Sequence, residues 1–276
     1  MVLNQIAVRG ASKISAENFP VALRVLPRRV RDHLQRAYVF ARFVDDVGDE
    51  ADGDRLALLD EVDRDVRALP EGNATLAPVS GLLPLVREHG LSIQPLRDLV
   101  EANRRDQIVS RYQTFDDLLD YCRLSAAPIG RIVLAVAGVD DRVAVARSDK
   151  VCAALQVLEH CQDVGEDAAA GRVYLPQADL RAVGVPDSDL TASTTSPALR
   201  GVIALQVGKA ERLLAEGIPL VRQLRGWARL AVLGYVAGGR ATAAALRRAG
   251  YDVLPRHVAP GKLRTARYAA LVAVGR

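Results

Sequence analysis

Aromatic side chains make up only 4% of the 276 residues, with a single Trp and a single Met. Strands favour aromatic and β-branched residues, so this scarcity, in a chain dominated by Ala, Leu, Val and Arg, argues for an all-α protein. Cysteine is also sparse. Cys122, Cys152 and Cys161 follow no zinc-ligand spacing and form no disulfide framework, which fits a reducing cytoplasm. The first fifteen residues lack the apolar core of a signal peptide, and no apolar run reaches the length of a membrane span. Missing too is any stripe of basic residues interleaved with stacking aromatics. The 37 Lys and Arg are scattered among 33 Asp and Glu, which speaks against nucleic acid as the partner. The net charge of +4 still leaves room for an anionic ligand such as a phosphorylated substrate or acidic lipid.

What the chain does hold is half apolar residues, enough for one large core, and two clusters of aspartate. Tyr38-Val-Phe-Ala-Arg-Phe-Val-Asp-Asp-Val-Gly-Asp-Glu50 is apolar at helical spacing, yet carries Asp45, Asp46 and Asp49. Residues three and four apart share a helix face, so Asp45 and Asp49 point the same way with Asp46 beside them. Such like charges call for solvent, basic neighbours or a divalent metal. An oxygen-only ligand set suits magnesium, which binds through one or two carboxylates plus substrate phosphates. A second copy raises the specificity. Cys161-Gln-Asp-Val-Gly-Glu-Asp167 sets Asp163 and Asp167 four apart in another apolar helical context. Facing helices of a bundle build metal sites from inward carboxylates, and two such pairs could clamp a metal–diphosphate cluster.

Along the chain, residues 1–15 read as a loose arm and residues 1–276 as one helical domain. Pro27 fits the first turn of a long helix reaching the first aspartates. Arg42 either neutralises Asp45 and Asp46 or holds a phosphate that they share through metal. Gly48 costs about 1 kcal/mol of helix stability relative to Ala. It either lets a ligand approach closely or is a tolerated surface glycine. Residues 54–69 read as an outer amphipathic helix, and 70–81 as a connection. The polar run Asn103–Gln107 reads as surface, with the rim of a polar pocket as the alternative. Thr114 is a helix cap. Pro128 and Gly130 interrupt an apolar helix after Tyr121, for a kink or for close packing. Residues 141–167 read as one helix, 186–196 as a surface loop, and 197–215 and 227–249 as two further helices. Arg172, just beyond the second aspartate pair, is a diphosphate ligand or a helix-stop cation.

Several blocks carry a resemblance in order and with the right spacing. They are Asn18-Phe19-Pro20; Tyr38-x-x-x-Arg42-x-x-Asp45-Asp46-x-x-Asp49; Tyr121-Cys122 with Gly130; Gln162-Asp163-x-x-x-Asp167; Gly171-Arg-Val-Tyr-Leu-Pro176; and Arg247-Arg-Ala-Gly-Tyr-Asp-Val-Leu254. The chain resembles the squalene/phytoene synthase family over nearly its whole length. Within it, Glu17-Asn-Phe-Pro20, Phe115-Asp-Asp-Leu-Leu-Asp-Tyr-Cys122 and Leu155-Gln-Val-Leu-Glu-His-Cys-Gln-Asp163 are most similar to the bacterial hopanoid-pathway branch HpnC, the hydroxysqualene synthases.

The resemblance implies an isoprenoid-synthase helical bundle with a central cavity. It implies Asp45, Asp49, Asp163 and Asp167 as magnesium ligands and catalytic residues, with Asp46 in support. Arg42 and Arg172 would grip diphosphate oxygens, with Gln162 also at the substrate. Phe19, Tyr38 and Tyr121 would line the cavity, where aromatic faces steady a carbocation. The implied reaction is ionisation of presqualene diphosphate, rearrangement, and capture by water to give hydroxysqualene. Gln162 stands where many relatives have Arg, Glu159 where many have Asn, and Gly239 where some condensing enzymes have Tyr. These departures fit a specialised step on a preformed thirty-carbon substrate. Condensation of two farnesyl diphosphates is the second reading, and a non-catalytic binding or assembly protein of this fold the third. There is no G-x-G-x-x-G, although reductive relatives do not rely on that motif. The expected partners are an isoprenoid diphosphate, with contact at the inner membrane face or handover to the next enzyme. The expected place is the cytoplasm.

Overall fold

The computed structural model describes Leu3, Ile6, Ala7 and residues 26–273, with the side chains of residues 262–264 left aside. Among these residues the regular structure is helical. In chain order the α-helices are α1 (Arg28–Glu50), α2 (Arg55–Ala68), α3 (Ala77–Ser80), α4 (Leu83–His89), α5 (Gln94–Asp106), α6 (Phe115–Ser125) and α7 (Ala127–Val136). They continue with α8 (Arg142–Gln162), α9 (Val164–Ala169), α10 (Gln177–Ala182), α11 (Pro197–Gly217), α12 (Leu220–Gln223), α13 (Gly226–Arg248) and α14 (Lys262–Ala273). A 3₁₀ turn covers Asp187–Thr191, and the only strand-like pairing among the described residues is a bridge between Arg111 and Val173. The all-α class expected from composition is the class observed.

Two compact units organise these helices, one built from the chain up to Ile108 plus Ala127–Val145, the other from Val109–Ala126 plus Ala146 onward. In the first, α1 is the central element. Pro27, at its N-cap position, has its φ fixed for entry, and the helix runs to Glu50, where Ala51 turns extended and Gly53 adopts φ +89°. His33, Leu34, Ala37, Phe40, Val44 and Val47 form its buried stripe at three- and four-residue spacing, and α2, α5 and α7 pack against it. Each fully buried Phe or Val is worth roughly 1.5–3 kcal/mol. The outer helix expected over 54–69 is α2, capped by Asp54 and buried along Leu59, Val62 and Val66. That same face carries Asp63, which accepts from Arg67 Nε at 2.8 Å and Arg97 Nε at 2.9 Å.

In the second unit, Thr114 and Asp117 close a reciprocal capping box at the start of α6. The interruption expected near Pro128 is a break at Ala126. The proline has no N–H to donate, so α7 begins afresh and belongs to the first unit. One expectation is corrected. Residues 141–167 are not one helix: α8 ends at Gln162, Asp163 sits at φ −101°, ψ 17°, and α9 restarts at Val164. The redirected α9 packs closely, since a Cβ on Gly165 would lie 3.1 Å from Leu254. Within the loop expected over 186–196, Thr195 is buried. Its hydroxyl accepts the backbone N–H groups of Val253 and Leu254.

Candidate active site

The first aspartate motif occupies the last two turns of α1. Tyr38, Arg42, Asp45 and Asp49 follow one face at helical spacing, with Tyr38 and Asp45 partly buried and Asp49 exposed. Asp46 is buried and turns to Arg42, whose Nε is 3.7 Å from its Oδ1. Burial pushes the Asp45 carboxyl up to about 6, opposed by a hydrogen bond from Asn103 and reinforced by the charge of Asp49. The rise is chiefly the cost of burying a charged carboxyl, with Asp49 and Asp46 adding to it and Arg42 opposing it.

Of the two readings of the 103–107 run, surface does not hold for Asn103, which is buried. Its Nδ2 donates to Asp45 Oδ1 at 3.1 Å and to the Leu99 carbonyl at 3.2 Å. Gly48 explains how α5 comes so close. A Cβ there would run into the Asn103 amide, and Gln107 Nε2 donates to the Gly48 carbonyl at 3.0 Å. Neither alternative offered for Gly48 is complete: the close approach is made by a neighbouring side chain, and the glycine is buried.

The second motif straddles the break between α8 and α9. Its turn keeps helix-like bonds, Asp163 N–H to Glu159 O at 3.0 Å and Asp167 N–H to Asp163 O at 2.8 Å. Burial raises the Asp163 carboxyl above its ordinary range, and the neighbouring Asp167 carboxylate adds to the rise. Glu159 is raised first by burial as well. Asp167 Oδ2 is buried without a hydrogen bond among the described residues, and His160 Nδ1 stands 3.6 Å from it. On the solvent side, His257 Nδ1 lies 3.4 Å from Asp163 Oδ1. Gln162 donates its side-chain amide to the Val258 carbonyl, so it braces the chain segment that carries His257. Arg172 follows directly, its backbone N–H bonded to the Asp167 carbonyl at 2.8 Å.

Behind this motif lies an aromatic cluster. Tyr121 is buried, with ring centroids 5.3 Å from Tyr112, 5.5 Å from Tyr174 and 6.4 Å from His160. The sequence motifs hold Tyr121 and Tyr174 but give no sign of Tyr112 or of the His160 ring beside them. Val173 and Gln177 hydrogen-bond back to Ser110 and Tyr112, which sets Tyr112 beside Tyr174, and His160 of α8 stacks on Tyr174. Gly239 faces packed leucines, where a Cβ would be 2.9 Å from Leu155 and 3.1 Å from Leu214. Phe19 lies outside the described residues.

Residues 13–264 match the squalene/phytoene synthase family. The chain belongs to the squalene/phytoene synthase family. It is 38% identical over 219 residues to hydroxysqualene synthase of Zymomonas mobilis, spanning 77% of this chain and 72% of that protein. With hydroxysqualene synthase of Rhodopseudomonas palustris it shares 35% over 215 residues, 76% of this chain and 72% of the relative. In three dimensions it matches squalene synthase HpnC from Alicyclobacillus acidocaldarius with a TM-score of 0.82 and 39% identity, over 90% of this chain and 94% of that one. A dehydrosqualene synthase at 23% identity shares the fold, with a TM-score of 0.83.

As a squalene/phytoene synthase, the chain belongs among enzymes that act on isoprenoid diphosphates and typically depend on a divalent metal. The residues present fit such a metal. The aspartates of both motifs offer carboxylate oxygens, burial makes the charged forms of Asp45 and Asp163 costly without a neighbouring cation, and one buried Asp167 oxygen has no hydrogen-bond donor among the described residues. The one group of three ligand-type side chains that converge among the described residues lies elsewhere, at His33, Glu88 and His89.

Proposed function

We propose that this enzyme ionises presqualene diphosphate and captures the rearranged cation with water, giving hydroxysqualene and diphosphate. The observation that carries the reading is the 35–38% identity to three proteins named hydroxysqualene synthase, in a chain with both aspartate pairs intact. Gln162 and Glu159 support it, standing where many relatives carry Arg and Asn.

In this reading Asp45, Asp49, Asp163 and Asp167 hold magnesium, with Asp46 and Arg42 steadying the first motif. Bound magnesium supplies Lewis-acid neutralisation of the departing diphosphate. Arg42 and Arg172 bind diphosphate oxygens and keep the leaving group in place as the carbon–oxygen bond breaks. The faces of Tyr38 and Tyr121, with Phe19, stabilise the carbocation and keep stray water from it while it rearranges. Water then adds at carbon, and its proton is released to solvent or a carboxylate.

Product analysis tests this directly. Purified protein with magnesium and presqualene diphosphate, without nicotinamide, should yield hydroxysqualene in the lipid extract and leave farnesyl diphosphate untouched in a parallel reaction. Presqualene diphosphate formed from farnesyl diphosphate would replace this reading with the condensing one. No product from either substrate would sink both.

A further inference from the structure

The second aspartate motif contains a buried histidine to which none of the roles above has been given. His160 is 7% exposed, lies flat on Tyr174 with centroids 3.7 Å apart and planes at 13°, and faces a polar group at each nitrogen. On one side, Gln156 Nε2 is 3.3 Å from His160 Nε2. With the amide nitrogen facing the ring, Nε2 is the acceptor, so in the neutral imidazole the proton sits on Nδ1. On the other side, Nδ1 points at Asp167 Oδ2, 3.6 Å away. That gap is an electrostatic contact, and closing it by about 0.5 Å makes a normal hydrogen bond. Asp167 Oδ2 is the buried oxygen without a donor among the described residues, while the side chain as a whole is 25% exposed. The exposed part of the side chain is therefore not Oδ2.

We propose that His160 is a positioning residue that holds Asp167 by its inner oxygen and presents the outer oxygen to metal, with Gln156 fixing the tautomer and Tyr174 fixing the ring plane. This inference rests on Asp167 being a metal ligand, as proposed above. Partners of this kind set the orientation and basicity of a ligand, and losing one typically costs 10–100-fold in metal affinity. The other cluster of ligand-type side chains needs no ion to explain it. His33 Nδ1 and His89 Nε2 already hydrogen-bond at 2.8 Å, and Glu88 is held by Arg29 at 2.5 Å.

Two substitutions separate the donor from the ring. His160→Phe keeps the stack on Tyr174 and removes the proton donor; His160→Asn gives up the ring and keeps an N–H near the Nδ1 position. The readout is the magnesium concentration at half-maximal thermal stabilisation by farnesyl thiodiphosphate, each variant compared with its own metal-free melting temperature. His160→Phe should need about tenfold more magnesium than the parent protein, and His160→Asn should return to within about threefold. A half-point unchanged in His160→Phe overturns the proposal, and so does a His160→Asn no better than His160→Phe. If the parent protein itself shows no magnesium-dependent shift, or keeps it in Asp167→Asn, the metal role of Asp167 fails first and the positioning role with it.

Discussion

Burial and pairing pull the titrating side chains of this protein in opposite directions, and which wins differs from residue to residue. The thiols of Cys122 and Cys161 are pushed up to about 12 by burial, so both are protonated and poor nucleophiles at neutral pH. In the native protein neither should react with a disulfide reagent over minutes, and both should do so in denaturant; mass mapping of the labelled cysteines would decide. Asp63 goes the other way. Burial alone would raise its pKa, but hydrogen bonds from Arg97 and Arg67 outweigh it and hold the carboxyl below its ordinary range. A depressed folded-state pKa stabilises the protein above the unfolded value, about 3.9, and that contribution is lost as pH falls through the folded one. Asp63→Asn should therefore cost about 2 kcal/mol at pH 7, less than for a fully buried pair because both arginines keep solvent contact. In urea melts the gap to the parent should narrow below about pH 4; a constant gap would show that the arginines are not its source. Gly48→Ala, which improves helix propensity, should nonetheless destabilise by about 1–3 kcal/mol, since the new methyl displaces Asn103 from Asp45. Equal or higher stability in that variant would mean α5 yields freely.

At the scale of elements, local signals were legible and distant ones were not. Thr114 announced the start of α6 from three residues of sequence, and the capping box it forms is local. Thr114→Ala should cost about 1 kcal/mol, read as a lowered midpoint in chemical denaturation with an unchanged slope. Pro128 likewise announced an interruption. The break at Asp163 carried no proline and no glycine at the joint; what accompanies it is the seat of Gly165 on Leu254, far along the chain. Asn103 was hidden for the same reason. A polar run reads as surface unless one knows that Asp45, 58 residues earlier, lies opposite. Tyr121 could be picked out, but the cluster around it depends on the return of 173–177 to 110–112.

For the whole molecule, ordered motif blocks made the family legible where composition alone gave only a helical class. No helix among the described residues is long and apolar enough to cross a membrane. Magnesium with a diphosphate analogue should raise the melting temperature, and Asp45→Asn or Asp163→Asn should each abolish the rise. A shift that survives both substitutions would mean that the aspartates do not hold the metal. A binding or assembly protein of the same fold should show no shift at all.

The contact between Gly48 and Asn103 also ties two distant letters of the chain together. Volume at these positions is shared, so a methyl gained at 48 is best relieved by giving up bulk at 103, and with it the amide that steadies Asp45. The constraint runs one way, since added bulk at 48 presses on Asn103 while a smaller side chain at 103 meets no clash with the glycine. A laboratory selection for stability that starts from Gly48→Ala should find its compensating change at position 103.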